Sequence, residues 1–231
     1  MDLDSSTAKI PSSLEGVTWF RVKSKREVNL EIERLKSEGI CSLKLGIECA
    51  KFNTKRGLKW YDWLVPTLGK SLNLELCFDN FSQEKIKSTY RKHSFSEIVE
   101  YFILKHGQYF KLIELWRNPS IRQKEEIFEN IFTEDVVFTA TWAQHHGKKV
   151  GLGGIQTVDF EWITKLISSQ FLNTIEYLQL DMESEDEWCR SSKFYERTLQ
   201  GLFSAKGVTA QIKPSETRTL VLQPSNENIA C

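Results

Sequence analysis

The feature that most constrains this chain is an alternation: short β-rich runs give way to longer helical patterns, six times in succession. The β-rich runs fall at 17–22, 42–47, 73–78, 111–116, 149–155 and 174–180. Helical patterns follow at about 24–38, 59–70 and 95–105, then beyond Pro119 as far as Gln144, and at about 159–170 and 185–203. Neighbouring strands that run the same way need a crossover of a dozen or more residues, and helices supply it, so the repetition predicts a parallel sheet. An open doubly wound sheet and a closed barrel both satisfy the pattern. No GxGxxG follows the first run, and Gly151, Gly153 and Gly154 lie inside a late one, which sets aside the dinucleotide-binding arrangement. The expected fold is α/β, a TIM-type (β/α) barrel. A seventh run at 209–212 is followed closely by a short one at 219–222, with too little chain between them for a crossover helix. Either the last run closes the barrel irregularly or the ring is incomplete at its C-terminal end.

Local signals support the element boundaries. Ser24 is placed to cap the first helix with Glu27 three residues on, and Gly39 stands where a helix commonly ends. Val28, Leu30, Ile32 and Leu35 form its expected apolar stripe, and Asn53 and Gly57 are expected in a loop before the second helix. With 231 residues, one domain is expected: a flexible N-terminal segment over 1–15, a barrel over 16–223 and a flexible tail over 224–231.

Composition narrows the function classes. Hydrophobic residues make up 40% and charged residues 27%, enough apolar material for a sizeable core. Lys plus Arg and Asp plus Glu each number 31, so the basic excess of a nucleic-acid binder is missing. The five cysteines are scattered without a CxxC pair, so neither a disulfide framework nor a zinc site is suggested; Cys41, Cys49 and Cys77 beside apolar runs are expected to be buried thiols. The N-terminus lacks the basic start and apolar stretch of a signal peptide, and no window reaches the ~18 apolar residues of a membrane span. A cytoplasmic location with no membrane partner is expected. His145 and His146 are adjacent rather than four apart, which suits a helix C-terminus better than a metal. His93 and His106 have no partners at ligand spacing, so neither metal nor cofactor is expected.

Two stretches are specific enough to suggest a relative. Residues 43–47 read LKLGI, and Gly57 is followed by Trp60 to Pro66 as WYDWLVP; residues 114–119 read ELWRNP. Residues 151–154, GLGG, and 214–217, PSET, are weaker echoes. Together, from about 16 to 217, these resemble the β-xylosidase-like branch of the clan A retaining glycoside hydrolases, whose strand-four signature is ELWNEP. The resemblance implies two glutamates at the strand C-terminal ends, a general acid and a nucleophile about 5–5.5 Å apart. Here the acid position falls on Asn118, and an amide cannot donate that proton. Arg117 occupies the place of the residue that would hold the sugar 2-hydroxyl, and Glu216 occupies the nucleophile position. The family's aromatic or histidine positions after strands two, three and six fall on Lys51, Asp79 and Asp181.

The resemblance therefore implies a pseudoenzyme: a carbohydrate-binding barrel without the standard acid, using Glu216, Asn118 and Arg117, with Trp116 as a floor for a sugar face. A charged rim of Arg117 and Lys51 suits a sugar phosphate or nucleotide-linked sugar. A second reading is an active glycosidase with its acid relocated to Glu114, Asp79 or Asp181. A third is a scaffold or interaction protein that kept the barrel for its surface. Glu114 shares a strand face with Trp116 and Asn118 and reads more readily as a buried partner of Arg117 or a lysine than as a replacement acid. Trp60, Tyr61 and Trp63, on a helix, are expected to anchor that helix to the barrel.

Overall fold

A computed structural model describes residues 13–20, 24–79, 94–116, 126–155, 160–180, 193–213 and 220–222. Strands β1 (Ser13–Phe20), β2 (Ser42–Glu48), β3 (Asn73–Asp79), β4 (Phe110–Trp116), β5 (Lys149–Ile155), β6 (Tyr177–Leu180), β7 (Gln211–Lys213) and β8 (Leu220–Leu222) form a single sheet. Helices α1 (Lys25–Ser37), α2 (Cys49–Phe52), α3 (Lys55–Gly69), α4 (Phe95–His106), α5 (Glu126–His145), α6 (Phe160–Ser168) and α7 (Lys193–Lys206) alternate with them. Every ladder is parallel, and the order is β7-β6-β5-β4-β3-β2-β1-β8. This is the cyclic order of a (β/α) barrel with the cycle cut once. Among the described residues no ladder joins β7 to β8, so the sheet is not closed there.

The sheet is nonetheless rolled. Strands sit about 4.8 Å apart, so β2 and β6, four places apart, would be roughly 19 Å apart if the sheet were flat. Yet the Lys44 Nζ on β2 lies 3.2 Å from the Gln179 Oε1 on β6. Only a curled sheet brings those inner faces together.

The outer face carries the apolar core. Leu43, Leu45 and Ile47 on β2, Leu74, Leu76 and Phe78 on β3, Ile113 and Leu115 on β4, and Val150 and Leu152 on β5 are buried in one hydrophobic cluster with the helices. Val28, Ile32 and Leu35 of α1, Leu64 and Leu68 of α3, Ile98 and Phe102 of α4, and Trp162 and Ile163 of α6 are the facing residues. Each such side chain, fully buried, contributes about 1.5–3 kcal/mol. Leu30 departs from the expected stripe of α1: it is 61% exposed. A 13-residue helix on a sheet needs only one narrow face, and Val28, Ile32 and Leu35, at i, i+4 and i+7, already fill it.

Helix starts follow side-chain caps. Ser24 Oγ accepts from the Glu27 N–H at 3.2 Å, and Gly39, at φ 73°, follows the end of α1. Ser94 and Glu97 form a full capping box at the start of α4. The expected loop through Gly57 is instead helix. Thr54 accepts from the Gly57 N–H at 2.9 Å and starts α3 at Lys55, directly after the short α2. Gly57 is needed there, because a Cβ would stand 1.9 Å from the Lys51 carbonyl oxygen. Cys49 and Cys77 are buried, but Cys41, in the connection just before β2, is exposed.

Candidate functional site

The inner face of the sheet is polar where a typical barrel interior is filled with branched apolar side chains. Lys44 is the one charged residue in the otherwise apolar run Leu43 to Ile47, and period-2 geometry turns it inward while Leu43 and Leu45 turn out. Its Nζ donates to Glu114 Oε2 at 2.8 Å and to Gln179 Oε1 at 3.2 Å. Glu114 is fully buried and Lys44 nearly so. The Tyr177 hydroxyl donates to the same Glu114 oxygen at 2.5 Å, and the Cys77 thiol approaches Oε1 at 3.6 Å. Burial, then the charge and hydrogen bond of Glu114, push the Tyr177 hydroxyl far above its ordinary pKa, with smaller contributions from Glu75 and Cys77. Tyr177 thus remains a neutral donor. Two ammonium groups lie over its ring, Lys213 at 3.9 Å from the ring centroid and Lys44 at 5.7 Å.

Room for that ring comes from β5. Gly151 is the register partner of both Glu114 and Tyr177. A Cβ there would stand 2.3 Å from Tyr177 Cζ and 2.7 Å from its hydroxyl oxygen. The absent side chain on β5 is the space in which the phenol of β6 reaches the carboxylate of β4.

Glu114 is therefore an acceptor at the centre of an interior network, and its lysine is Lys44. Lys51, in the first turn after β2, lies 3.9 Å from Glu48, and Glu48 is the register partner of Asp79. The backbone thus brings Lys51, Glu48 and Asp79 together at the C-terminal ends of β2 and β3. Trp116 ends β4 with Gly153 as its register partner. Arg117, Asn118, Asp181 and Glu216 lie outside the described residues, as does His93. Sequence reading did not single out Lys44, Tyr177, Gln179 or Glu48. For Lys44 the signal was present, a lysine at an inward position of an apolar strand; for Tyr177 it lay in a glycine one strand away, which a linear pattern does not register.

The WYDWLVP segment turns out to be structural. Tyr61 is buried and its hydroxyl accepts the Glu48 N–H at 2.9 Å, fixing the C-terminal end of β2. Asp62 accepts from the Tyr101 hydroxyl at 2.6 Å and from Lys105 Nζ at 2.8 Å, and the buried His106 lies 2.9 Å away through Nε2. These contacts join α3 to α4. Trp60 and Trp63 pack on each other at 5.4 Å and against the core. His145 ends α5 and His146 stacks on Trp142 at 4.1 Å. Among the described residues no group of three or more His, Cys, Asp or Glu is arranged to hold a metal, and no helix is long and apolar enough to cross a membrane.

No protein-family model matches the sequence, and no curated protein sequence is significantly similar to it. Among solved structures, Streptococcus suis SuiB bound to S-adenosylmethionine superposes with a TM-score of 0.57 at 11% identity, over 88% of this chain and 48% of that one. This chain therefore spans about half the length of SuiB. The likeness is one of fold: a parallel α/β sheet of barrel type. More distant neighbours include a xylose isomerase domain protein from Alicyclobacillus acidocaldarius (TM-score 0.43, 9% identity, 91% and 92% coverage) and a GH30 endoxylanase from Clostridium papyrosolvens (0.39, 12%, 91% and 69%).

Proposed function

We propose that this chain is a barrel-type ligand-binding protein that takes a sugar-containing, anionic molecule at the C-terminal ends of its strands and does not hydrolyse it by the standard two-carboxylate route. One observation carries the reading. The remaining strand-four carboxyl, Glu114, is committed to the interior: one oxygen accepts from Lys44 and Tyr177 and the other faces the Cys77 thiol. A general acid must hold a proton and deliver it to the leaving oxygen, whereas Glu114 is surrounded by donors to itself. With asparagine at 118, the ELWRNP stretch supplies no other acid for departure. Lys51, 3.9 Å from Glu48, and Asp79, the register partner of Glu48, support a charged rim.

Binding is measured by calorimetry with a panel of neutral sugars, sugar phosphates and nucleotide sugars, and turnover with aryl glycosides. The expected outcome is saturable binding of a phosphorylated member, weakened by Arg117→Met, with no aryl-glycoside cleavage. Cleavage by the wild-type chain that disappears in Asp79→Asn or Asp181→Asn overturns the non-hydrolytic reading in favour of a relocated acid. Absence of binding across the panel overturns the ligand class.

A further inference from the structure

At the opposite end of the sheet, where strands begin, a cleft of about 430 Å³ opens between the end of α4 and the turn from α5 into β5. Its described lining is Ile103, Leu104, Lys105, Gly107, Gln108, His146 and Lys148. Three of these are basic and none is acidic. Lys105 already has a carboxylate, Asp62, at 2.8 Å. Lys148 does not. Its ammonium donates to the carbonyls of Gly107 at 2.6 Å and Phe110 at 3.1 Å and lies 5.1 Å from the centroid of the Phe110 ring, with no carboxylate partner among the described residues. Gly107 lets it lie that close, for a Cβ there would meet the Lys148 Cε and Nζ at 3.3 Å. Partial burial lowers the Lys148 pKa with no acid to offset it. Among the described residues this is a half-buried ammonium held by neutral carbonyls and no carboxylate, and a bound anion would supply the missing charge.

Both flanking helices end here, and free helix carbonyls would repel an anion. Several of those near the cleft are occupied. The Ala143 carbonyl accepts from the His146 and Lys148 N–H groups, the Gln144 carbonyl from the Gly147 N–H, and the Gly107 carbonyl from the Lys148 ammonium. His146, stacked on Trp142, offers an imidazole N–H in either tautomer, and the exposed Gln108 offers an amide donor.

We propose that the cleft between the end of α4 and the α5–β5 turn is a second binding site, for the phosphoryl group of a small molecule, anchored by Lys148 with His146 and Gln108. It is separate from the strand C-terminal ends and does not depend on the sugar-binding reading. Inorganic phosphate and pyrophosphate, titrated into the full chain against chloride at matched ionic strength and followed by phosphorus NMR line width, test it. Gln108→Glu places an acid in the cleft without removing a structural contact, and Lys148→Met removes the anchor; Lys149→Met, which removes an exposed lysine that pairs with Glu176 and does not line the cleft, serves as the control. Saturable binding that weakens about tenfold or more in Gln108→Glu and persists in Lys149→Met is the expected result. Lys148→Met should weaken it likewise where that variant folds. No saturable binding to the wild type, binding unchanged in Gln108→Glu, or equal loss in Lys149→Met overturns the proposal.

Discussion

Lys44 and Glu114 form an ion pair with almost no access to water. Such a pair adds little net stability over an apolar pair of similar size, yet either half left alone is costly, because it becomes an uncompensated buried charge. Glu114→Ala is therefore expected to lower the unfolding free energy by about 3–5 kcal/mol in urea titration, and the double change Lys44→Met with Glu114→Leu to recover most of it. A double variant as unstable as Glu114→Ala would count against the pairing as the cause. Gly151→Ala is expected to cost about 1–3 kcal/mol by the same measurement, since Tyr177 is held by Glu114 and cannot swing aside. Residues with an alternation-based signal were legible in sequence: Glu114 was expected to have a buried cationic partner, and Lys44 supplies it. Tyr177 and Gln179 were not legible, since their role exists only once β6 has curled to face β2.

Between elements, the joint of α3 and α4 is the clearest case of polar packing. Burial opposes the charge on Asp62, but hydrogen bonds from Lys105, Tyr101 and His106 outweigh it and hold its carboxyl below the ordinary value of 3.8. A folded-state value below the unfolded one means that this stabilisation is complete above the ordinary value and disappears as pH falls through the folded one. Asp62→Asn is expected to lower stability at neutral pH by roughly 1–3 kcal/mol and to make the acid limb of a urea-midpoint-against-pH profile shallower below about pH 4. Parallel profiles for the two proteins would refute the assignment. Most elements were readable from period and caps, as with Ser24 at α1, but boundaries moved where a cap had gone unnoticed. Thr54 draws the start of α3 back to Lys55 and takes in Gly57, which composition marks as loop. WYDWLVP, the segment most suggestive of an enzyme family, anchors a helix, which is how similarity of sequence can follow architecture and not chemistry.

For the whole molecule, the alternation was enough to anticipate a parallel sheet in cyclic order and a defect after the seventh strand. The short chain between β7 and β8 cannot hold a crossover, and those two strands are the ends of the sheet. A three-residue strand paired on one side should open more readily than the centre. Amide exchange at Gln211 to Lys213 is expected to be orders of magnitude faster than at Leu45, Leu76 and Ile113; equal protection would mean that the seam is sealed by other contacts. The site was less legible than the fold: Arg117, Asn118, Asp181 and Glu216 lie outside the described residues, and Lys51 and Asp79 fall in the one-turn α2 and at the last position of β3, where periodicity says little about position. Lys44 also links strands that are not neighbours. From β2 it reaches β4 and β6, so the curled sheet is tied across its inner face as well as along its ladders. Fraying at an outer strand would leave those cross-ties in place.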